Sequence, residues 1–220
     1  MLVVSVDYRL PPPEHAFPIS LLNCQDVLNH IGNEADDFGI DPRRLGVAGD
    51  SAGGNLSAAL ALKSRDNQGP AFKTQLLIYP VIDAACDTKS YHDYADGYGL
   101  SKDDMQIFWR SYLGVSDRTE PLASLNHNNI LEGLPPTRII TAEYDVLRDE
   151  AFAKQLNTAK VHVELERYKA SHSRIRSFLW YHGSWPRCCH ESGQTTRRAA
   201  TKLAQFMKTR QRPPSLQRRR

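Results

Sequence analysis

The sequence predicts an α/β fold in which a mostly parallel sheet is flanked by helices. Three observations carry this reading. Short apolar runs bounded by breakers recur at 2–8, 44–50, 74–82, 137–145 and 161–168. Stretches with a helical repeat lie between several of them, notably 19–32 and 53–64. A glycine-rich hexapeptide, "GDSAGG" at 49–54, joins the second run to the helical stretch behind it. Parallel neighbours need a long crossover connection, and an alternating strand–helix order supplies one.

Taken in order, "LVVSVDY" (2–8) has the continuous apolar character of a buried strand. "ISLLNCQDVLNHIG" (19–32) places Leu21, Leu28 and Ile31 on one helical face. "RLGVAGD" (44–50) is the second strand, and a helix from about Gly53 to Ser64 buries Leu56, Ala59 and Leu60. "TQLLIYPVI" (74–82) is the third strand. A long insertion, 83–134, follows and contains one good helix. Ser101 and Asp104 resemble a capping pair there, and Met105, Phe108, Trp109 and Tyr112 form an apolar stripe that packs on the body. Pro135 and Pro136 announce the fourth strand, "TRIITAEYD" (137–145). Asp149 reads as the N-cap of a helix that turns Phe152 and Leu156 inward. "VHVELERY" (161–168) alternates cleanly as a fifth strand, with His162 on its polar face beside Glu164 and Glu166.

At 220 residues, residues 1–209 are expected to form a single domain, irregular over 169–196, with a basic and disordered tail at 210–220. Charged residues at 24% and a net charge of +3 are ordinary for a globular protein and mark no nucleic-acid binder. The four cysteines (Cys24, Cys86, Cys188, Cys189) have no disulfide-framework spacing, which suits a reducing compartment and a cytoplasmic protein. No leader and no apolar run of membrane-spanning length is read, so no stable membrane insertion is expected; an oligomer stays open.

Gly49-Asp50-Ser51-Ala52-Gly53 matches G-x-S-x-G, and it stands where that pattern has a mechanism, after a strand and before a helix. There the serine sits in a sharp, strained turn, and small neighbours let strand and helix approach closely. A serine hydroxyl needs a base to take its proton, and the base needs an acid to orient it. On such a sheet the three follow in the order serine, acid, histidine. Asp145, at the end of the fourth strand, is favoured as the acid because strand ends converge on the carboxyl edge; Asp50 would point away from Ser51. His15, His30, His92 and His127 come too early for the base. Of His172, His182 and His190, the first is favoured, on a loop just beyond Tyr168. A zinc site from His182, Cys188, Cys189 and His190 is rejected because neighbouring cysteines rarely share one tetrahedral metal; no metal and no cofactor is expected.

Four blocks, "VDYRLPPPEHAFP" (6–18), "GDSAGGNL" (49–56), "LLIYPVID" (76–83) and "LPPTRIITAEYDVLRDE" (134–150), together resemble the hormone-sensitive-lipase-like family of α/β-hydrolases, in order from residue 2 to about 168. The resemblance implies a serine carboxylesterase or lipase acting on small esters. Ser51 is its nucleophile, Asp145 the acid, and Ala52 a backbone N–H of the oxyanion hole. Two departures stand out. The family's HGGG-type loop, which supplies most of its oxyanion hole, is not found, nor is the strand leading into it. Thus the sheet is expected to be incomplete on the N-terminal side, with a slot between 2–8 and 44–50 that re-pairing or another chain would fill, or else a loose fold. The family's H-G-F-like motif is also displaced: His172 is followed by Ser173 and Arg174, as a disrupted reading frame over 169–196 would explain.

The expected function is therefore a serine ester hydrolase working through an acyl-enzyme on a small-molecule ester, with turnover impaired by the missing loop. The alternatives are a non-catalytic hydrolase-like binding protein and an inactive gene fragment.

Overall fold

The computed structural model describes residues 2–11, 15–150 and 152–172, the last three by their backbone alone. Four parallel strands form one sheet in the order β1 (Leu45–Asp50), β2 (Phe72–Ile78), β3 (Thr137–Tyr144) and β4 (Val163–His172). The helices are α1 (Ile19–Asn33), α2 (Ala35–Phe38), α3 (Ala52–Asp66), α4 (Lys89–Asp93), α5 (Lys102–Leu113) and α6 (Phe152–Thr158), with a 3₁₀ turn at Leu125–His127.

Each face of the sheet has its own apolar layer. Leu21 and Leu28 of α1, Leu56 and Leu62 of α3 and Phe152 and Leu156 of α6 pack with Leu77 and Ile139 in the largest cluster. Ile78, Ile140 and Ala142 project into a second, smaller one, as the two-residue period of a strand requires. A third cluster sits over the carboxyl edge, where α5 lays Met105, Trp109 and Leu113 on Tyr91, Val146 and Leu147. The same edge is therefore roofed by the insertion between β2 and β3.

Several expectations need correction. Residues 2–8 alternate in burial but form no sheet pairing among the described residues. Their side chains Val6 and Tyr8 still pack on the core, and Arg9 is tied to α1 through its N–H to Asn23 Oδ1 and its carbonyl to Ser20 Oγ. Apolar alternation specifies a buried face; a strand also needs a ladder partner. The third predicted strand stops at Ile78: Tyr79 turns away at φ +35° although its N–H still donates to Ile140 O on β3 at 2.6 Å. Asp149 caps nothing described: its carboxylate takes two hydrogen bonds from Arg148, at 2.8 and 2.6 Å. In α5 the capping box forms as expected, yet Phe108 is exposed and Leu113 takes its place in the buried seam.

Candidate active site

Ser51 lies between the last residue of β1 and the first of α3, at φ +54° and ψ −120°. For a residue with a Cβ that conformation is strained, and the surroundings hold it from both sides. The Ser51 N–H donates to Ile78 O at 2.9 Å, and its carbonyl accepts from Gly54, Asn55 and Val81 N–H groups. Two glycines make the turn this tight. A Cβ on Gly49 would sit 2.1 Å from the Gly53 carbonyl oxygen, and one on Gly54 would sit 2.9 Å from Pro80 Cα. A Cβ on Gly53 would meet nothing within 4 Å, so the second glycine of the pentapeptide is not the one that admits the close approach. Ala52 begins α3, so its N–H has no carbonyl one turn back and faces the positive end of a 15-residue helix. Asp50 points elsewhere, toward the Tyr79 hydroxyl at 3.5 Å.

Asp145 follows β3 directly and is 2% exposed. Its Oδ1 accepts the Leu147 N–H at 3.0 Å, and its carbonyl accepts the Arg148 N–H at 3.2 Å, closing a turn that the sheet holds at one end. All four strands run parallel, so Ser51 and Asp145 emerge at the same edge, with β2 between their strands. His172 is not on a loop. β4 continues to it, and its backbone pairs in register with Tyr144, the residue before Asp145. The strand outlasts its alternating sequence because a register shift between Ala142 and Tyr144 lets the edge of β3 accept two more residues of β4. His182 and His190, like Cys188 and Cys189, lie outside the described residues.

The stretch after Asp145 carries functional-looking residues that hydrophobic periodicity could not find. Arg148 donates to Tyr94 OH at 2.6 Å and stands 4.8 Å over that ring. The Arg148 guanidinium, with Arg167 and Lys89 nearby, holds the Asp149 carboxyl below its usual range. Glu150 retains some exposed surface, but its carboxyl is enclosed and accepts from the Ile82 N–H and from Tyr91 OH. Burial pushes that carboxyl well above the usual range, and the negative Asp83 adds to the shift. The only sequence signal was a dense charge run, "RDE", on the way into an apolar helix.

Among the described residues no three His, Cys, Asp or Glu side chains are grouped to hold a metal, and no helix is long and apolar enough to cross a membrane. A cavity of about 280 Å³ opens beside Ser64, Arg65 and Phe72. It lies at the amino end of β2, away from Ser51 and Asp145, and its lining carries no nucleophile–base pair.

A family profile described as the alpha/beta hydrolase fold matches residues 1–173. The chain belongs to the α/β-hydrolase family. Within it, this chain is 44% identical over 170 residues to carboxylesterase NlhH of Mycobacterium tuberculosis, covering 74% of this chain and 53% of that one. It is 35% identical over 167 residues to ethyl acetate hydrolase of Pseudomonas putida, covering 74% and 52%. The chain thus spans about half the length of these curated relatives. A thermostable esterase of Pseudomonas putida ECU1011 shares the fold with a TM-score of 0.75 at 33% identity, over 94% of this chain and 64% of that one.

Proposed function

We propose that this chain is a serine carboxylic-ester hydrolase with Ser51 as nucleophile, Asp145 as the acid, and as base a histidine at or beyond the end of β4, either His172 or one of His182 and His190. The observation that carries the reading is the strained Ser51, held at φ +54° at the head of α3, on the sheet edge where the buried Asp145 emerges. The names of the similar proteins support the reaction class.

The proposed reaction has two halves. The base histidine takes the Ser51 hydroxyl proton as Oγ attacks the ester carbonyl, and the imidazolium returns it to the departing alcohol. Water then attacks the acyl-serine with its proton going to the imidazole, and the carboxylic acid leaves as Oγ is reprotonated. The Ala52 N–H, with the helix dipole behind it, would face the oxyanion.

Hydrolysis of p-nitrophenyl acetate by the purified chain, beside Ser51→Ala at equal concentration, tests the proposal. A Ser51-dependent rate is expected, and equal rates would leave a hydrolase-like binding protein. The base needs a separate variant, since β4 lies three strand spacings from β1, about 14 Å at the backbone. At that distance the His172 imidazole reaches Ser51 only where the end of β4 turns toward β1: a His172→Ala rate as low as that of Ser51→Ala would show that it does, and a parent rate assigns the base to His182 or His190.

A further inference from the structure

The turn that presents Asp145 is not held by its own strand alone. Ser90, on α4 in the insertion, is fully buried. Its Oγ donates to the Val146 carbonyl at 2.6 Å and accepts the Asp149 N–H at 3.2 Å. One hydroxyl therefore bridges the first and last residues of the turn Val146–Asp149. Thr88 Oγ1 lies 3.0 Å from the same oxygen. The next residues of the insertion hold the turn and the residue after it: Tyr94 OH accepts from Arg148 at 2.6 Å, and Tyr91 OH reaches Glu150 Oε1 at 3.1 Å.

These contacts bear on the acid because Asp145 is oriented from within the turn. Its Oδ1 is fixed by the Leu147 N–H, so a change in the path from Val146 to Asp149 rotates the carboxylate. The turn is also coupled to the nucleophile. Glu150 accepts the Ile82 N–H, and the adjacent Val81 N–H donates to the Ser51 carbonyl. We propose that Ser90 is a positioning residue: its hydroxyl closes the Val146–Asp149 turn from outside and thereby sets the direction of the Asp145 carboxylate. This rests on the reading of Asp145 as the triad acid. An Ala at position 90 would leave a buried carbonyl and a part-buried N–H without that partner, which relaxes the turn rather than emptying the core.

The test compares parent, Ser51→Ala, Ser90→Ala and Ser90→Cys, the last keeping most of the volume while weakening both bonds. Rates on p-nitrophenyl acetate are expressed per site labelled by a fluorophosphonate, and exchange of the Leu147 amide is followed by NMR. For Ser90→Ala we expect kcat to fall tenfold or more with KM within twofold. The acid limb of the kcat–pH profile moves to lower pH, because an imidazolium whose carboxylate is turned away loses its proton more readily. Leu147 exchange accelerates at least tenfold. Ser90→Cys moves each readout the same way by less and carries the test if the alanine variant does not fold. Parent values of kcat per site, pH limb and Leu147 exchange in the folded variants overturn the proposal. If Ser51→Ala hydrolyses as fast as the parent, the esterase reading fails, and the brace is decided by Leu147 exchange alone: unchanged exchange overturns it.

Discussion

At Gly49 an added methyl would lie 2.1 Å from a backbone oxygen of α3 and 2.7 Å from Ser57 Oγ, a clash that neither strand nor helix can relieve without separating. Gly49→Ala is therefore expected to destabilise the protein by several kcal/mol, at the upper end of what single substitutions cost. Gly53→Ala is expected to do the opposite. Its Cβ would meet nothing within 4 Å, and alanine loses less backbone entropy on entering a helix, a gain of up to about 1 kcal/mol. Urea unfolding of the two variants checks the contrast, which would fail if both moved in one direction. The two glycines are indistinguishable in the pentapeptide, since a sequence records which residues lack a Cβ and not which neighbour occupies the space. Ser51 itself was legible, because a nucleophile turn needs a particular order of strand, small residues and helix. Ser90 was not: a buried serine bridging a distant turn has no sequence period.

Helix α5 shows how far periodicity reaches at the scale of an element. Its start was readable from Ser101 and Asp104, a local exchange of hydrogen bonds that depends on nothing outside four residues. Its buried face was less so. Met105, Phe108, Trp109 and Tyr112 fit an i, i+3, i+4, i+7 stripe, but the seam that packs on Val146 and Leu147 runs through Met105, Trp109 and Leu113, spaced by four. Where the roof meets the body decides which edge of a broad apolar stripe is covered, and that is a tertiary fact. Trp109 is 2% exposed and Phe108 is 55% exposed. Trp109→Ala is expected to cost about 3–5 kcal/mol, the range for emptying a large aromatic site. Phe108→Ala is expected to stay within about 0.5 kcal/mol of the parent. Denaturant midpoints at constant m-value separate the two, and comparable losses would mean that the helix is rotated toward Phe108.

Over the whole molecule, the parallel sense of the sheet follows from alternating strands and crossovers and was legible in the sequence; the order β1–β2–β3–β4 was not, since alternation leaves open which strands are neighbours. Residues 2–8 have the apolar alternation of a strand but form no pairing among the described residues, because pairing is a property of two segments and alternation specifies only one of them. Charge burial was the least legible feature, since "RDE" looks alike whether solvated or enclosed, and here it governs the response of the fold to pH. Burial of the Glu150 carboxyl, with the negative Asp83 adding, outweighs its hydrogen bonds from the Ile82 N–H and Tyr91 OH, so its folded-state pKa lies above its unfolded value. The folded state thus holds that proton more tightly. The contribution is complete below the unfolded pKa of about 4.3 and declines as pH rises through the raised folded value. Asp149 has the opposite sign: its pKa is lowered by Arg148, so its contribution is present above its unfolded pKa and lost as pH falls through the lower folded one. Glu150→Gln keeps the shape of the acceptor for the Ile82 N–H and Tyr91 OH but cannot ionise. Its melting temperature is expected to match or fall slightly below the parent near pH 4, then to gain on it steadily with rising pH. Calorimetric scans from pH 4 to pH 9 give the difference, and a constant offset would show that the enclosed carboxyl does not ionise at a cost to the fold.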